Sequence, residues 1–281
     1  MDILLYNPLS RNGKNDHFIE KVKKELKKNG NPVVVYSLLT IDDPIAFISN
    51  CTESDRIILV GGDGTINRLA NRIYGLDIQQ PIYIYQAGTG NDFVRSLKTK
   101  DKIVSIKEYI SNLPYVLYDD QKQYFLNGAG AGLDGYVGYL VNNSRFKKNK
   151  LNYFRHAFEA FAKFKPVGAN ITVDGKSWYE KKVWFASVMH SAYFGGGMKI
   201  APKAKRSQAE LDIVIVKKIP KWLLILIFPT IYLGWHVIFK RYVTIIKGQE
   251  VTISFDTPTY LQIDGDVEYP IDKIKAFSMR K

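Results

Sequence analysis

The sequence is poor in cysteine and histidine, the side chains on which many metal and redox sites depend. Cys51 is the only cysteine among 281 residues, which excludes a disulfide framework and a cysteine-based metal site. The four histidines lie far apart, and no two of them have the i, i+4 spacing of metal ligands on one helix face. We therefore interpret the histidines as structural or exposed residues.

Acidic residues are scarce relative to basic ones. The chain has 40 Lys and Arg against 27 Asp and Glu, which gives a formal net charge of +13 at pH 7. This excess favours an anionic partner: nucleic acid, a phosphorylated substrate or an acidic membrane leaflet. Charge alone does not choose among them. Residues 1–8 lack the basic start and the long apolar run of a signal peptide, so we expect an intracellular protein.

An uninterrupted apolar run of membrane-spanning length is also missing. The most apolar segment, Trp222 to Phe239, is broken by Pro229, Gly234 and His236, and it has lysine or arginine beyond both ends. We expect two short helices that line an apolar cleft or dip into a membrane interface, with their basic flanks against lipid headgroups. A buried helix pair and a true membrane span are the alternatives.

What the sequence does contain, at residues 57–68, is a strand followed by a glycine-rich turn and a helix. Ile57 to Val60 predicts a buried strand of a parallel sheet, and Thr65 is predicted to cap the helix after the turn. The N–H groups at such a helix start bind phosphate, and glycine lets the main chain approach it closely. Asp63 suits a cation held beside phosphate, or a hydroxyl that must be oriented.

A second glycine-rich turn follows the strand predicted at Pro81 to Tyr85. Residues 86–95 again place threonine and aspartate among glycines. Two such turns at the carboxyl ends of strands in one sheet are expected to face the same crevice. The alternation of strands and helices through about residue 112 predicts a doubly wound α/β N-terminal domain, which we assign to residues 1–118.

Residues 119–270 are predicted to form a β-rich second domain. Short strand patterns follow one another, separated by turns such as Asp174-Gly175 and interrupted by one helix at about residues 151–163. Residues 130–135 spell GxGxxG, but no βαβ unit follows, so a dinucleotide site is not expected there. The GKS of residues 175–177 lacks the upstream glycine of a P-loop and is interpreted as a hairpin turn.

Three motifs together resemble those of the soluble bacterial diacylglycerol kinase-like lipid kinases. They are GGDGT at residues 61–65, GTGNDF at residues 88–93 and the late Ile263-Asp264-Gly265-Asp266. Diacylglycerol, sphingosine and ceramide kinases share this catalytic domain. NAD kinases carry an element similar to GGDGT, but the combination with GTGNDF and Asn7-Pro8-x-Ser10 is specific. The resemblance covers essentially the whole chain.

The resemblance implies an ATP-dependent lipid kinase that transfers the γ-phosphoryl to a lipid hydroxyl, as in the conversion of diacylglycerol to phosphatidic acid. An α/β domain would bind ATP, a β-sandwich-like domain would bind the lipid, and the active site would lie between them. The tail, residues 271–281, is expected to return to the first domain. The residues implied in nucleotide binding are Asn7, Pro8, Leu9, Ser10, Arg11, Thr40, Gly61, Gly62, Asp63, Gly64, Thr65, Ile66, Asn67, Arg68, Gly88, Thr89 and Asn91.

The resemblance also assigns the acidic residues. Asp63 and Asp92 would belong to an aspartate–water–Mg²⁺ network, and Asp264 or Asp266 would be the general base. The alternative role for Asp63 is to orient the acceptor hydroxyl. The family usually has Asp-Gly-Glu where this chain has Asp264-Gly265-Asp266. Relatives with a structural Mg²⁺ carry an acidic-glycine pair near the position of Gln208, and since this chain lacks it we do not expect that metal.

The implied partner is a lipid substrate at an anionic membrane surface, not a nucleic acid. The protein would be cytoplasmic and peripherally associated with the inner face of the membrane. Homodimers are common among relatives, and the sequence leaves the oligomeric state open. Two rival functions remain at this point: a NAD kinase-like phosphotransferase that acts on a soluble substrate, and a non-catalytic regulator that binds nucleotide or an anionic membrane.

Overall fold

The computed structural model describes residues 1–8, 16–28, 30–86, 91–145 and 150–280. The chain divides into two compact units, Met1–Asn112 and Leu113–Lys281. The division precedes the predicted boundary at 118/119 because residues 115–118 form a strand that pairs within the second unit's sheet. The predicted fold class, an α/β unit followed by a β-rich unit, is confirmed.

The first unit has a five-stranded sheet in the order β2-β1-β3-β4-β5 across its described residues. Its strands are β1 (Asp2–Tyr6), β2 (Val33–Ser37), β3 (Arg56–Gly61), β4 (Ile82–Gln86) and β5 (Ile103–Ser105). The first four are parallel, and β5 runs antiparallel to β4 at the edge. Its helices are α1 (Asp16–Lys27), α2 (Pro44–Ser49), α3 (Asp63–Ile73), α4 (Asp92–Leu97) and α5 (Lys107–Ile110).

Burial explains why β3 and α3 form where the sequence predicts them. Ile57, Ile58 and Leu59 have no exposed surface, as expected for a central parallel strand covered on both faces. On α3 the buried apolar side chains recur at helical spacing, so one face of the helix packs against the sheet. These side chains are Ile66, Leu69, Ala70 and Ile73.

The second unit is built on antiparallel strands. Its described strands are β6 (Tyr115–Tyr118), β7 (Gln121–Tyr124), β8 (Gly128–Gly132), β9 (Val167–Val173), β10 (Lys176–Met189), β11 (Leu211–Lys217), β12 (Val243–Gly248), β13 (Glu250–Ile263) and β14 (Asp266–Phe277). The order is β12-β11-β10-β8-β13-β14-β6-β7, and β9 pairs with both β10 and β13. Its helices are α6 (Leu133–Asn142), α7 (Lys150–Lys163) and α8 (Lys221–Ile227).

Two long strands replace pairs of shorter predicted ones. The patterns at residues 177–179 and 182–190 are one strand, β10, and those at residues 249–254 and 260–264 lie in β13. Each long strand pairs with β9 through one part and with β8 through another, with an irregular register between them. Such irregularities bend a strand without ending it, which explains why the sequence reads as two segments.

Sequence analysis missed β8 and α6. The strand consists of glycine and alanine, which have little intrinsic preference for strands. Small residues are needed there because a Cβ on Gly130 would lie 1.8 Å from Asp134 Oδ2, and one on Gly135 would lie 2.4 Å from the Tyr260 carbonyl oxygen. The GxGxxG of this segment therefore serves close packing of α6 on the sheet.

Residues 271–281 are expected to return to the first domain, predicted as residues 1–118. The segment through Phe277 does pair with residues 115–117, but the structure places both in the second unit. That segment belongs to β14, which pairs with β13 and with β6 of the second unit. The alternating pattern of residues 266–277 supplies buried Ile271, Ile274 and Ala276 to the second unit's core.

The apolar segment at residues 222–239 forms short helices, as predicted. Helix α8 is followed by two 3₁₀ helices, Phe228–Tyr232 and Trp235–Ile238, with Gly234 in the left-handed conformation between them. Among the described helices none combines the length and the apolar character needed to cross a membrane.

Candidate active site

Strands β3 and β4 end side by side at the carboxyl edge of the first unit's sheet. Gly61 at the end of β3 pairs with Gln86 at the end of β4, and the glycines of the second predicted turn, Gly88 and Gly90, lie outside the described residues. Helix α3 begins at Asp63 with Gly62 as its N-cap, which corrects the prediction that Thr65 is the cap. The helix starts earlier because glycine's extended backbone serves as the cap and Asp63 complements the helix dipole.

The glycines of this turn have two different surroundings. A Cβ on Gly61 would lie 2.4 Å from Thr65 Oγ1, so the strand end and the first helical turn touch there. A Cβ on Gly62 or Gly64 would meet nothing within 4 Å. The main chain at these two residues therefore borders open space at a helix N-terminus, where a phosphate can approach it.

The carboxylate of Asp63 joins the start of α3 to the start of α4. Its Oδ2 accepts a hydrogen bond from the Asp92 N–H (2.8 Å), and its Oδ1 accepts one from the Phe93 N–H (3.0 Å). These are N–H groups of the first turn of α4, which lack partners within the helix. Asp63 thus fixes the start of α4 against the start of α3.

The start of α4 is further held by its own side chains. Asn91 is the N-cap, and its Oδ1 accepts a bond from the Val94 N–H at 3.0 Å. Asp92 is 1% exposed and pairs with Arg95 Nη1 at 2.9 Å. The Nδ2 of Asn91 is buried and has no hydrogen-bond partner among the described residues, so it is a donor available to an oxygen-rich ligand.

A pocket of about 140 Å³ opens in the first unit beside α3. It is lined by three predicted nucleotide residues, Asn7, Thr65 and Arg68, and by five that the sequence did not single out: Leu38, Leu39, Pro44, Leu69 and Arg72. Apolar side chains from the β2–α2 segment stand opposite two arginines, an arrangement that suits a ligand with a flat apolar part and an anionic part.

Some predicted nucleotide residues are placed differently. Ile66 is fully buried in the core, and Asn67 is 3% exposed with its Oδ1 accepting a bond from Asn71 at 2.9 Å. Their side chains serve the packing of α3, which corrects their assignment to the nucleotide. Thr40 is exposed and donates to the Ser37 carbonyl oxygen. Predicted residues Leu9, Ser10, Arg11, Gly88 and Thr89 lie outside the described residues.

A directly ligated metal does not fit Asp63 and Asp92 as they stand. Both oxygens of Asp63 already accept backbone N–H groups, and Asp92 is paired with Arg95. Within the described residues there is no cluster of three or more His, Cys, Asp or Glu that would hold a metal ion. The remaining lone pairs of the two carboxylates can accept hydrogen bonds from water.

Asp264 lies in a two-residue hairpin turn with Gly265, between β13 and β14. Its carboxylate accepts three backbone N–H bonds: Leu126 at 2.5 Å, Asn127 at 2.8 Å and Gly128 at 3.2 Å. Burial raises the pKa of Asp264, although these N–H groups and Arg206 act in the opposite direction. The main work of this carboxylate is to hold the segment that leads into β8.

Asp266, the second candidate base, is exposed at the start of β14. Close to the Asp264 contacts is Arg206, which is 6% exposed and was missed by sequence analysis. Its guanidinium donates to the Leu126 carbonyl oxygen and to Asn127 Oδ1. A buried arginine has no sequence signature of its own, because the pattern around it resembles that of a surface turn.

The region where relatives hold a structural metal contains a lysine. Lys247 Nζ lies 2.6 Å from Gln208 Oε1 and 3.4 Å from Asp212 Oδ1, and Asp212 is 2% exposed. The ammonium thus supplies a positive charge beside a buried carboxylate.

The second unit encloses an apolar cavity of about 60 Å³ beneath α6, α7 and α8. Two polar residues, Asp134 and His236, contribute to its lining. Burial raises the pKa of Asp134 from 3.8 to about 6, against hydrogen bonds from Ser187 Oγ and the Gly135 N–H. His236 donates from Nε2 to the Ile200 carbonyl oxygen, and its buried Nδ1 has no hydrogen-bond partner among the described residues.

Family comparisons match both units. The model described as the diacylglycerol kinase catalytic domain matches residues 3–113, and the YegS C-terminal NAD kinase beta sandwich-like domain matches residues 128–274. The chain therefore belongs to the diacylglycerol kinase-like lipid kinase family, a family of phosphotransferases.

Individual relatives agree with this assignment. The chain is 30% identical over 238 residues to the "Putative lipid kinase YtlR" of Bacillus subtilis, with 75% of this chain and 74% of that protein covered. It is 25% identical over 270 residues to the "Diacylglycerol kinase" of the same organism, with 94% and 88% covered. A "putative diacylglycerol kinase" crystal structure from Bacillus anthracis has the same fold, with a TM-score of 0.69, 23% identity and 99% and 92% coverage.

Replacing Asp134 by asparagine is expected to remove a pH dependence of stability. The pKa of Asp134 in the folded protein is raised from 3.8 to about 6. The protonated carboxyl therefore stabilises the fold at pH values below the unfolded-state pKa, and this stabilisation is lost as the pH rises through the folded-state pKa. Wild-type stability relative to Asp134→Asn should fall across that window by on the order of 1–3 kcal/mol. Urea unfolding of both proteins at a series of pH values measures it, and a pH-independent difference would contradict it.

Lys247→Met is expected to lower the free energy of unfolding by about 1–3 kcal/mol, because it leaves the buried Asp212 carboxylate without its cation. Lys273→Met, at an exposed lysine of β14, should change it little. In thermal unfolding, EDTA should leave the wild-type Tm unchanged. A Tm that falls with EDTA and recovers with Mg²⁺ would show that a structural metal is present after all.

Proposed function

We propose that this protein is an ATP-dependent lipid kinase that transfers the γ-phosphoryl of ATP to a lipid hydroxyl, with diacylglycerol as the acceptor and phosphatidic acid as the product. The observation that carries the proposal is the contact of Asp63, at the start of α3, with the start of α4, in a chain that belongs to the diacylglycerol kinase-like family. The acceptor follows the names of the relatives, several of which are diacylglycerol kinases.

The groups that would receive ATP lie in the first unit. The N–H groups at the start of α3, with open space above Gly62 and Gly64, suit the phosphates. Arg68 and Arg72 line the adjoining pocket and can offset phosphate charge, while Leu38 and Leu39 offer an apolar surface for the adenine. Asp63 keeps the donors at the starts of α3 and α4 in fixed positions, so that little reorganisation is needed when the phosphates bind.

Proton removal is assigned to Asp266. As the acceptor oxygen bonds to the γ-phosphorus and the bond to the β–γ bridging oxygen of ATP breaks, the hydroxyl proton passes to a carboxylate. Asp266 is exposed, whereas the oxygens of Asp264 already accept three N–H bonds. Asp264 is therefore proposed as a positioning residue that holds the segment before β8.

Magnesium is proposed to accompany ATP, and when bound it would offset the charge of the phosphates. Asp63 and Asp92 would hold its water ligands rather than the ion itself, since their oxygens already have protein partners. An apolar acceptor is supported by the cavity beneath α8. We further propose that the protein works in the cytoplasm at the inner face of the membrane.

Purified protein with Mg-ATP is expected to phosphorylate diacylglycerol dispersed in anionic detergent micelles, and Asp63→Ala should abolish this activity. The substitution removes the carboxylate that fixes the start of α4 against the start of α3. The measurement is the transfer of radiolabelled phosphate to lipid. The Asp63 carboxylate also accepts N–H groups at the start of α4, so its loss should lower the free energy of unfolding by about 0.5–2 kcal/mol. Unfolding is therefore measured in parallel.

The matched control is Asp174→Ala. The Asp174 carboxylate likewise accepts two backbone N–H bonds, from Gln249 and Glu250, but in a turn of the second unit. This variant should lose stability and keep its activity when folded. Full activity of the Asp63→Ala variant would contradict the proposal. Phosphorylation of NAD in the absence of lipid would instead support the NAD kinase-like alternative.

The two late aspartates are expected to separate by phenotype. Asp266→Asn should lower kcat by about 10²- to 10⁴-fold with little change in stability, as for loss of a general base. Asp266→Glu should retain activity, because the family usually carries glutamate at this position. Asp264→Asn should instead lower the free energy of unfolding by about 1–3 kcal/mol, since backbone N–H groups lose their acceptor. Wild-type kcat in Asp266→Asn would exclude Asp266 as the base.

A further inference from the structure

Within residues 222–238 of the second unit, Ile225 is 38% exposed, and five other large apolar side chains are more than half exposed. Their exposed fractions are 67% for Trp222, 67% for Leu226, 58% for Leu233, 61% for Trp235 and 68% for Ile238. We call these five residues the apolar docking face. Single exposed apolar residues are ordinary on protein surfaces, but a concentration of this kind marks a surface that contacts a partner or a membrane.

The docking face is not a by-product of core packing. The same segment buries a separate set of side chains, including Leu224, Ile227 and Ile231, which line the cavity of the second unit. Helix α8 is therefore apolar on both its buried and its exposed sides. A helix at an ordinary protein–water boundary carries polar residues on its outer side. The outward tryptophans and aliphatic residues need a cause other than folding.

The charge around the face identifies its partner. Residues 213–249 contain no Asp or Glu, and they include Lys221, Lys240 and Arg241 directly beside the segment. These three residues are exposed, and Lys240 and Arg241 form no ion pair among the described residues. Cationic side chains at both ends of an apolar surface complement an anionic lipid surface. Exposed tryptophan at such a surface is typical of segments that lie in the membrane interface.

We propose that the apolar docking face inserts into the headgroup region of an anionic lipid bilayer, with Lys221, Lys240 and Arg241 against the lipid phosphates. The proposal deepens the proposed function, because it assigns the surface through which the protein meets the source of its lipid acceptor. The segment lies in the interface and does not cross the membrane. Its buried side lines the apolar cavity, so a chain leaving the bilayer has only this short segment to pass.

The first test is flotation with phosphatidylcholine vesicles that contain or lack phosphatidylglycerol, without ATP. The wild type should float with the anionic vesicles, and added salt should weaken the binding. Leu226→Ser with Ile238→Ser should weaken it by about tenfold or more, because both side chains lose apolar burial. Leu76→Ser, at a residue 44% exposed in the first unit, is the matched control and should bind as the wild type does.

The second test locates the inserted residues. Lipids brominated on their acyl chains should quench part of the wild-type tryptophan fluorescence. Trp222→Phe with Trp235→Phe should lose that quenching while it still floats, because phenylalanine keeps the face apolar. Of the other two tryptophans, Trp184 is buried and Trp178 is partly buried against the second unit's core, so neither should contribute much quenching in either protein. Quenching that persists in the double phenylalanine variant would overturn the proposed face.

Two further results would overturn the proposal. In the first, the Leu226→Ser and Ile238→Ser variant floats as well as the wild type. In the second, the variant loses self-association, measured by light scattering, while its vesicle binding stays unchanged, which would identify the face as a subunit contact. Phosphoryl transfer to a short-chain diacylglycerol in detergent is measured on the same variants. Vesicle binding without phosphoryl transfer would support the docking face and contradict the proposed kinase activity. Phosphoryl transfer without vesicle binding would support the kinase activity and contradict the docking face.

Discussion

The contact between Asp63 and the start of α4 is the constraint on which the candidate active site depends. Parallel pairing of β3 with β4 brings the ends of both strands to one edge of the sheet, but pairing alone does not fix the helices that follow them. The Asp63 carboxylate fixes the starts of these helices against each other by accepting the N–H groups of Asp92 and Phe93. Glycine at position 61 is part of the same constraint, because Thr65 fills the space of its missing side chain.

The second unit uses a carboxylate in a comparable way. Asp264 gathers the N–H groups of residues 126–128, and the nearby Arg206 binds the Leu126 carbonyl oxygen and the Asn127 side chain. Burying these charges is costly, and the cost is offset only because each has several well-placed partners. The neighbouring acidic residue, Asp266, has no such burial. Two aspartates of one motif are therefore assigned different tasks by their surroundings.

Sequence analysis recovered the elements whose patterns are local. The strand at Ile57 to Val60 and the apolar face of α3 follow from side-chain periodicity, and both are present. It missed β8 because the need for glycine in this segment arises from contacts outside the strand: α6 is a separate element, and Tyr260 is distant in the sequence. It divided β10 and β13 because an irregular register interrupts their alternation. It assigned β6 to the first domain because the pairing of β6 with the tail strand β14 is invisible in the local pattern.

The sequence by itself determined the two glycine-rich turns, the β-rich second half and the family, since these rest on residue types at fixed spacing. Only the tertiary structure decided which residues of those motifs are available to a ligand. Ile66 and Asn67 belong to a motif but are buried, whereas Leu38 and Arg72 belong to none and line the pocket. The same holds for residues 222–239: composition marks them as apolar, but only packing against α6, α7 and the sheet determines which side chains are left facing water.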